Sequence, residues 1–503
     1  FLLSPHHVPQ WFKKRYPEAF LGNGFMPLDF NHLKTQELYM AYLEYLIPRL
    51  ASSPYRGALH DIVISNEPSD CRYKVKDACK DAEHFGSYIL RQYGSLENFN
   101  KEAGTSFADF KALAASAAKR EPAALREFIN FKKEFFTGWH KQMTEKIRKL
   151  WPEAPPINTK IQGTLFFAEN QMEAAVDPEL FAEISDLNGN DNGVSCWQHL
   201  GMCTDLQWSM KPVSIINSEY HFINDAEVQR ISSDLIYRST IQQYLHGVSA
   251  LIHWVWDSAG FDRPEYLQGG IRHRADNIIA IQKAVMDANR LSEEIVAFNL
   301  VEPQVAILYS PESLILNRDQ YCKMVYRVWT DLSTTGHKLR FLSEKQIQRG
   351  EFGDVKLIVA PGVRNISRKT LNGLRKFVSG SGIIAGRGEC FTQDEYGRPL
   401  NAGLEFHKGN SREDLQRLVK RYFTLPAAVD VLTPEKSMNV VQRRIVTLPD
   451  ERILANIVNY DVVPHRIRLT VPAGKKAVDL ISGEAYPMEF ILLPDHPLLL
   501  EFR

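Results

Sequence analysis

Two glutamates, each closing a short apolar run, are the side chains best placed for chemistry. One run is Ile62-Val63-Ile64-Ser65-Asn66-Glu67-Pro68 and the other is Pro212-Val213-Ser214-Ile215-Ile216-Asn217-Ser218-Glu219-Tyr220. β-Branched runs of this length read as buried parallel strands, and a proline after the polar pair stops the first ladder. In a β/α barrel the C-terminal ends of the strands open on the active site. Asn66 and Glu67 there offer an amide for a substrate hydroxyl and a carboxyl for proton transfer. A single strand-end glutamate is more often a helix cap or a surface ion-pair partner. Two such strands bring two carboxylates to one opening, which makes Glu67 and Glu219 a candidate pair.

Aromatic and imidazole side chains stand at neighbouring strand ends. Ser249-Ala250-Leu251-Ile252-His253-Trp254-Val255-Trp256 reads as a late strand, and an indole face suits the C–H face of a sugar ring. Trp254 and Trp256 share a parity, so both are candidates, with buried packing an equal alternative for each and Trp197 next in line. Phe1-Leu2-Leu3-Ser4 reads as a strand whose exit loop carries His6 and His7 toward a pocket; adjacent histidines are not a chelating pair. Two carboxylates and a tryptophan-bearing strand suggest glycoside hydrolysis.

The elements that must position these groups alternate between strand and helix. Thr35 to Leu50 repeats apolar residues at helical spacing, as do Ala78–Tyr93, Leu125–Leu150 and Asp225–Leu245. Pro156–Lys160 reads as a further strand, and Asn188–Asn192 as a polar strand-end loop bracketed by Ala182–Leu187 and Gly193–Trp197. Six strand–helix units before Asp257 imply an α/β (β/α)8 TIM barrel with its first two units, about 60 to 100 residues, absent from the given chain. The expected division is a catalytic barrel over 1–298, an α/β domain of flavodoxin-like or amidotransferase-like form over 299–427, and a small C-terminal β-sandwich over 428–503. Val301–Tyr309, Leu357–Pro361 and Gly382–Ala385 supply the strands of the second region, and alternating runs such as His465–Val471 those of the third. The glycines at 380, 382, 386 and 388 fit no dinucleotide or P-loop spacing and read as turns.

Composition narrows the partners. Lys and Arg together number 60, as do Asp and Glu, so no net charge argues for nucleic acid or an anionic membrane, and a neutral substrate fits better. No run approaches the roughly 18 apolar residues of a membrane span. Six scattered cysteines form neither a disulfide framework nor a close metal pair, and read mostly as buried thiols; no cofactor and no metal are expected. The first residue is Phe1 rather than Met, so the natural N-terminus is expected upstream, a signal peptide would be invisible, and the cytoplasm is favoured over the periplasm or secretion.

At this point the chain resembles a known family. The Asn66-Glu67 and Glu219 pair looks like the acid/base and nucleophile of clan A retaining glycosidases. Leu3-Ser4-Pro5, Pro9-Gln10-Trp11-Phe12 and Tyr16-Pro17-Glu18, with Arg91-Gln92-Tyr93-Gly94-Ser95-Leu96-Glu97-Asn98-Phe99-Asn100 and Gly104-Thr105, are similar to glycoside hydrolase family 42, the β-galactosidases. The resemblance implies that Glu67 protonates the leaving oxygen, that Glu219 forms the glycosyl-enzyme about 5–5.5 Å away, and that Asn66 bonds the sugar 2-hydroxyl. An ionised Glu219 favours a proton on Glu67 until the ester forms. It further implies a homotrimer assembled through the α/β domain. The family carries Asp-Asn-Tyr where this chain has Asp191-Asn192-Gly193, so Asn192 is carried over and the tyrosine is either missing or supplied from elsewhere, with Tyr220 a candidate. Only Cys71 and Cys79 follow the acid/base, too few for the zinc cluster many members hold. The expected activity is hydrolysis of terminal β-D-galactosides; a clan A exo-hydrolase on another β-glycoside or a galactose-containing polysaccharide is the alternative, and a non-catalytic carbohydrate binder a further one.

Overall fold

The computed structural model describes residues 1–3, 7–21, 27–70, 74–162, 174–193, 197–223, 230–256, 270–435 and 440–503. Its first region is built on a parallel sheet of β1 (Ile62–Asn66), β2 (Ile157–Gln162), β3 (Asn188–Asp191), β4 (Ile215–His221) and β5 (Val248–Trp254), ordered as in the chain. Leu2 bridges Val63 in parallel at the β1 side, so Phe1–Leu3 lies along that edge. Sequential parallel strands with helices returning between them form the wall of a β/α barrel, and the loops after each strand gather at one rim.

Helix Pro122–Leu150 ties this wall to the rest of the molecule. Proline in its first turn costs no intrahelical bond. Phe128 joins the larger core shared with the second region, while Phe136, Trp139 and Ile147 join the core behind β1 and β2.

The strand Asn188–Asp191 departs from expectation, because its Asn-Gly-Asn-Asp composition reads as a loop and is in fact a buried strand. Asn188 Nδ2 donates to the carbonyl of Lys211 (2.8 Å) and Asn190 Nδ2 to Gln207 Oε1 (2.7 Å), so the helix behind, Trp197–Met210, and the residue after it accept from both amide nitrogens. Gly189 has no substitute, since a Cβ there would sit 2.4 Å from Asn158 Oδ1 and 2.5 Å from the Thr159 carbonyl. The preceding Ala182–Ile184 belongs to helix Pro178–Ile184.

The second region holds a five-stranded parallel sheet of β6 (Val305–Tyr309), β7 (Leu339–Ser343), β8 (Leu357–Pro361), β9 (Ile383–Arg387) and β10 (His407–Lys408), in the order β10-β9-β8-β6-β7. The order reverses at β6, where an open α/β sheet ordinarily leaves a crevice. Here helix Pro178–Ile184 of the first region lies against it, with Ser343 Oγ donating to Glu179 Oε1 at 2.7 Å. The remaining chain forms two antiparallel sheets around one core that includes Val429, Ile445, Ile457, Ile467, Leu469, Leu500 and Phe502. In His465–Thr470 burial alternates strictly, with Ile467 and Leu469 inside and Arg466 and Arg468 outside.

Of the described cysteines, Cys203, Cys322 and Cys390 are buried and Cys79 is exposed; Cys71 and Cys196 lie outside the described residues.

Candidate active site

β1 delivers Asn66 and Glu67 to the rim. Glu67 has φ 43°, a left-handed conformation that costs a non-glycine residue roughly 1 kcal/mol or more. Its N–H still donates to the Lys160 carbonyl (2.8 Å), so the ladder holds the backbone while the side chain turns out of it. Gln162 Nε2 donates to Glu67 Oε2 at 3.1 Å.

β2 supplies a polar face. Asn158, Lys160 and Gln162 alternate with Ile157, Thr159 and Ile161, and their side chains bond Asp61, Glu219 and Glu67 in turn. β4 brings Glu219, whose Oε1 is 3.0 Å from His221 Nε2 and whose Oε2 accepts from Lys160 Nζ. Lys160 Nζ also lies 3.7 Å from Asp191 Oδ2 at the end of β3, and Asp191 hydrogen-bonds Glu67. Three carboxyl groups therefore cluster around these contacts, with the Lys160 side chain only 3 % exposed and that of Glu219 17 % exposed.

These contacts separate the carboxyls electrostatically. Burial pushes Glu219 upward, but the hydrogen bonds from His221 and Lys160, with the Lys160 charge, outweigh it and hold Glu219 below the usual carboxylate range. Burial, the bond to Glu67 and the charge of Glu219 push Asp191 well above that range, against Lys160. Burial and the neighbouring carboxyls thus favour the neutral form of Asp191, and Lys160 and His221 favour the anion of Glu219.

Ligand atoms of Asp191, Glu219 and His221 lie within 4.8 Å of one another, a spacing a cation can span. The Lys160 ammonium already contacts two of the three, so these residues have their cation and are not read as metal ligands.

The other expected site residues divide. Trp254 is half-buried, pairs in register with His221, and its ring centroid is 5.9 Å from that imidazole. Trp256 is 61 % exposed. Asn66 is buried at the strand end, and Asn192 is clamped through its backbone by Asn217, which bonds both its N–H (3.5 Å) and its carbonyl (3.1 Å). Asn192 Nδ2 is buried and has no partner among the described residues.

Tyr220 corrects an expectation. It is fully buried with Phe222, Ile223 and Ile236, its hydroxyl beside Ser239 and Arg238, because it follows Glu219 by one residue and so points to the opposite face of β4. It does not replace the tyrosine absent after Asn192. His7 is exposed and lines a separate apolar groove of 540 Å³ with Leu3, Phe12 and Tyr39, away from the two glutamates. His6 lies outside the described residues, as does the side chain of Trp197.

Lys160, Gln162 and His221 were not anticipated. The available signal is a strand with asparagine, lysine and glutamine at alternate positions, since polar residues such as the buried Asn158 and Lys160 need partners.

A family model described as Beta-galactosidase, glycoside hydrolase family 42, matches residues 4–295. No curated protein matches the chain. Among solved structures, an exo-carrageenase of family 42 from Bacteroides ovatus overlays at TM-score 0.86 with 19% identity, covering 100% of this chain and 74% of its own. A catalytic mutant of a family 42 β-galactosidase from G. stearothermophilus overlays at 0.76 with 14% identity, over 100% of this chain and 88% of that one. A β-galactosidase from Bacillus circulans sp. alkalophilus gives 0.72 with 13% identity, over 100% and 88% respectively. These likenesses show a TIM-barrel α/β fold.

Proposed function

This chain belongs to glycoside hydrolase family 42 and is a glycoside hydrolase, and from that premise we propose that it cleaves terminal β-D-galactosides with retention of configuration, using Glu219 as nucleophile and Glu67 as acid/base. The observation that carries this reading is the unequal treatment of the carboxyls. Glu219 is bonded on both oxygens by Lys160 and His221, which favours its anion, while Glu67 is bonded by the Gln162 amide and by Asp191 and meets no cation among the described residues.

In the first step Glu67 gives its proton to the glycosidic oxygen as Glu219 Oε attacks the anomeric carbon. The C–O bond to the leaving group breaks and a glycosyl ester forms. Water then attacks the same carbon, Glu67 takes its proton, and Glu219 leaves as carboxylate. Asn66, and the unpartnered amide of Asn192, are the groups assigned to sugar hydroxyls. Trp254, in contact with His221 beside the nucleophile, is the assigned stacking platform.

A second substrate reading rests on the likeness to the exo-carrageenase, and would make the substrate a galactose-containing polysaccharide attacked from its end. Assay against nitrophenyl β-glycosides and carrageenan oligosaccharides, with the anomer of the first product read by NMR, tests both. Turnover of the β-galactoside with β-galactose formed first supports the primary reading, and turnover of the oligosaccharides alone replaces it with the second. Release of the α-anomer overturns retention.

We further take residues 299–427 as an α/β trimerisation unit and 428–503 as a β-sandwich, with the catalytic unit ending at 298. Light scattering at micromolar concentration is expected to give a trimer, and a monomer removes that role.

A further inference from the structure

Lys160 is a costly residue to keep where it stands. Its strand position is buried, its neighbours on that face are polar, and an ammonium there needs counter-charge on more than one side. It has that charge: Nζ bonds Glu219 Oε2 and lies 3.7 Å from Asp191 Oδ2. A core strand gains nothing in packing from a lysine that an apolar residue would not supply better. The residue is explained by what it holds.

We propose that Lys160 is a positioning residue for the hydrolysis: seated between Glu219 and Asp191, its ammonium holds the Glu219 carboxylate ionised and correctly oriented. The inference rests on the reading of Glu219 as nucleophile. His221 holds Oε1 from the same strand, so Lys160 and His221 together leave the carboxylate little freedom to rotate. The charged and titratable groups facing Glu219 are Lys160 from β2, Asp191 from β3 and His221 from β4, with Glu67 of β1 reached through Asp191; Trp254 of β5 packs on His221. When Glu219 becomes an ester its charge is lost, and Asp191 is the acidic group that remains beside Lys160.

The test compares wild type, Lys160→Met and Lys160→Arg, reading both kcat/KM against pH and the titration of Glu219 by ¹³C NMR of labelled glutamate carboxyls, assigned with Glu219→Gln. In Lys160→Met the acidic limb of the pH profile is expected to move up by about 1–2 pH units, as removal of an adjacent opposite charge requires. Activity at low pH then falls roughly 10- to 100-fold more than activity on the alkaline side, and Lys160→Arg restores the limb. An acidic limb and a Glu219 titration both unmoved in folded Lys160→Met overturn the proposal while the assignment of Glu219 stands. Inactive wild type overturns the assignment, and the NMR titration still reports whether Lys160 controls Glu219. If Lys160→Met does not fold, wild type and Lys160→Arg decide: Glu219 titrating below free glutamate in both supports the proposal, and at or above it in both overturns it.

Discussion

Both parallel sheets end in a cluster of carboxyl groups, and the two clusters are built oppositely. At the rim of the first sheet Glu219 is bonded by an ammonium and an imidazole, and its side chain keeps some access to solvent. At the end of the second, Glu344 accepts from the Ser310 and Thr370 hydroxyls (2.5 and 2.7 Å) and Glu179 from the Ser343 hydroxyl (2.7 Å). Among the described residues no cation bonds Glu344 or Glu179. Burial accordingly pushes Glu344 well above the usual range and Glu179 up to about 7. A hydroxyl stabilises a carboxyl in either protonation state, whereas an ammonium selects the anion. The first arrangement favours an anion, as the proposed nucleophile requires; the second seals a crevice that the sheet order would otherwise leave open.

The sharpest way to break this contrast is to remove the central carboxylate of the first cluster. Glu219→Ala is expected to lose roughly 10⁴-fold or more in kcat, and azide is expected to restore turnover with a glycosyl azide of inverted configuration. Rescue of the Glu67 variant to an inverted product would exchange the two roles. Trp254→Ala follows, with an expected loss of about 10- to 100-fold in kcat/KM from lost stacking and a freed His221, and a smaller loss for the exposed Trp256→Ala. Equal and small losses would put the sugar platform elsewhere.

Glu179→Gln is the counterpart in the second cluster and is expected to leave kcat/KM unchanged. The folded state holds a proton on Glu179 between its ordinary value of 4.5 and about 7, so stability falls as pH rises through that window and the penalty is complete above it. The substitution therefore raises stability at pH 8 by on the order of 2 kcal/mol and has little effect near pH 4.5. Melting temperatures at the two pH values check this; a variant destabilised at pH 8 would mean that Glu179 is ionised and held by charge, like Glu219.

The legibility of each region follows its chemistry. β1 and β4 were readable because apolar β-branched runs end abruptly in Asn-Glu and Ser-Glu, and their burial needs no partner outside the strand. β3 was not, because Asn188, Gly189 and Asn190 form a strand only when Gln207 and Lys211 accept from the amides and Asn158 presses on the glycine. Tyr220 follows Glu219 directly in the chain, and that adjacency itself puts it on the other face of β4. Lys160 needed knowledge of which strands become neighbours, since its partners lie 31 and 59 residues away in sequence. Parity leaves Trp254 and Trp256 as alternatives, and only the register of β5 on β4 sets Trp254 against His221.

The central claim is that Glu219 is the nucleophile of a retaining hydrolase, and trapping the glycosyl-enzyme tests it most directly. Incubation with a 2-deoxy-2-fluoro-β-galactosyl fluoride slows the second step, and digestion with mass spectrometry locates the adduct. The account predicts time-dependent inactivation with one sugar esterified to Glu219. A label on Glu67 or on another carboxylate, in enzyme that turns over the unmodified galactoside, would contradict it.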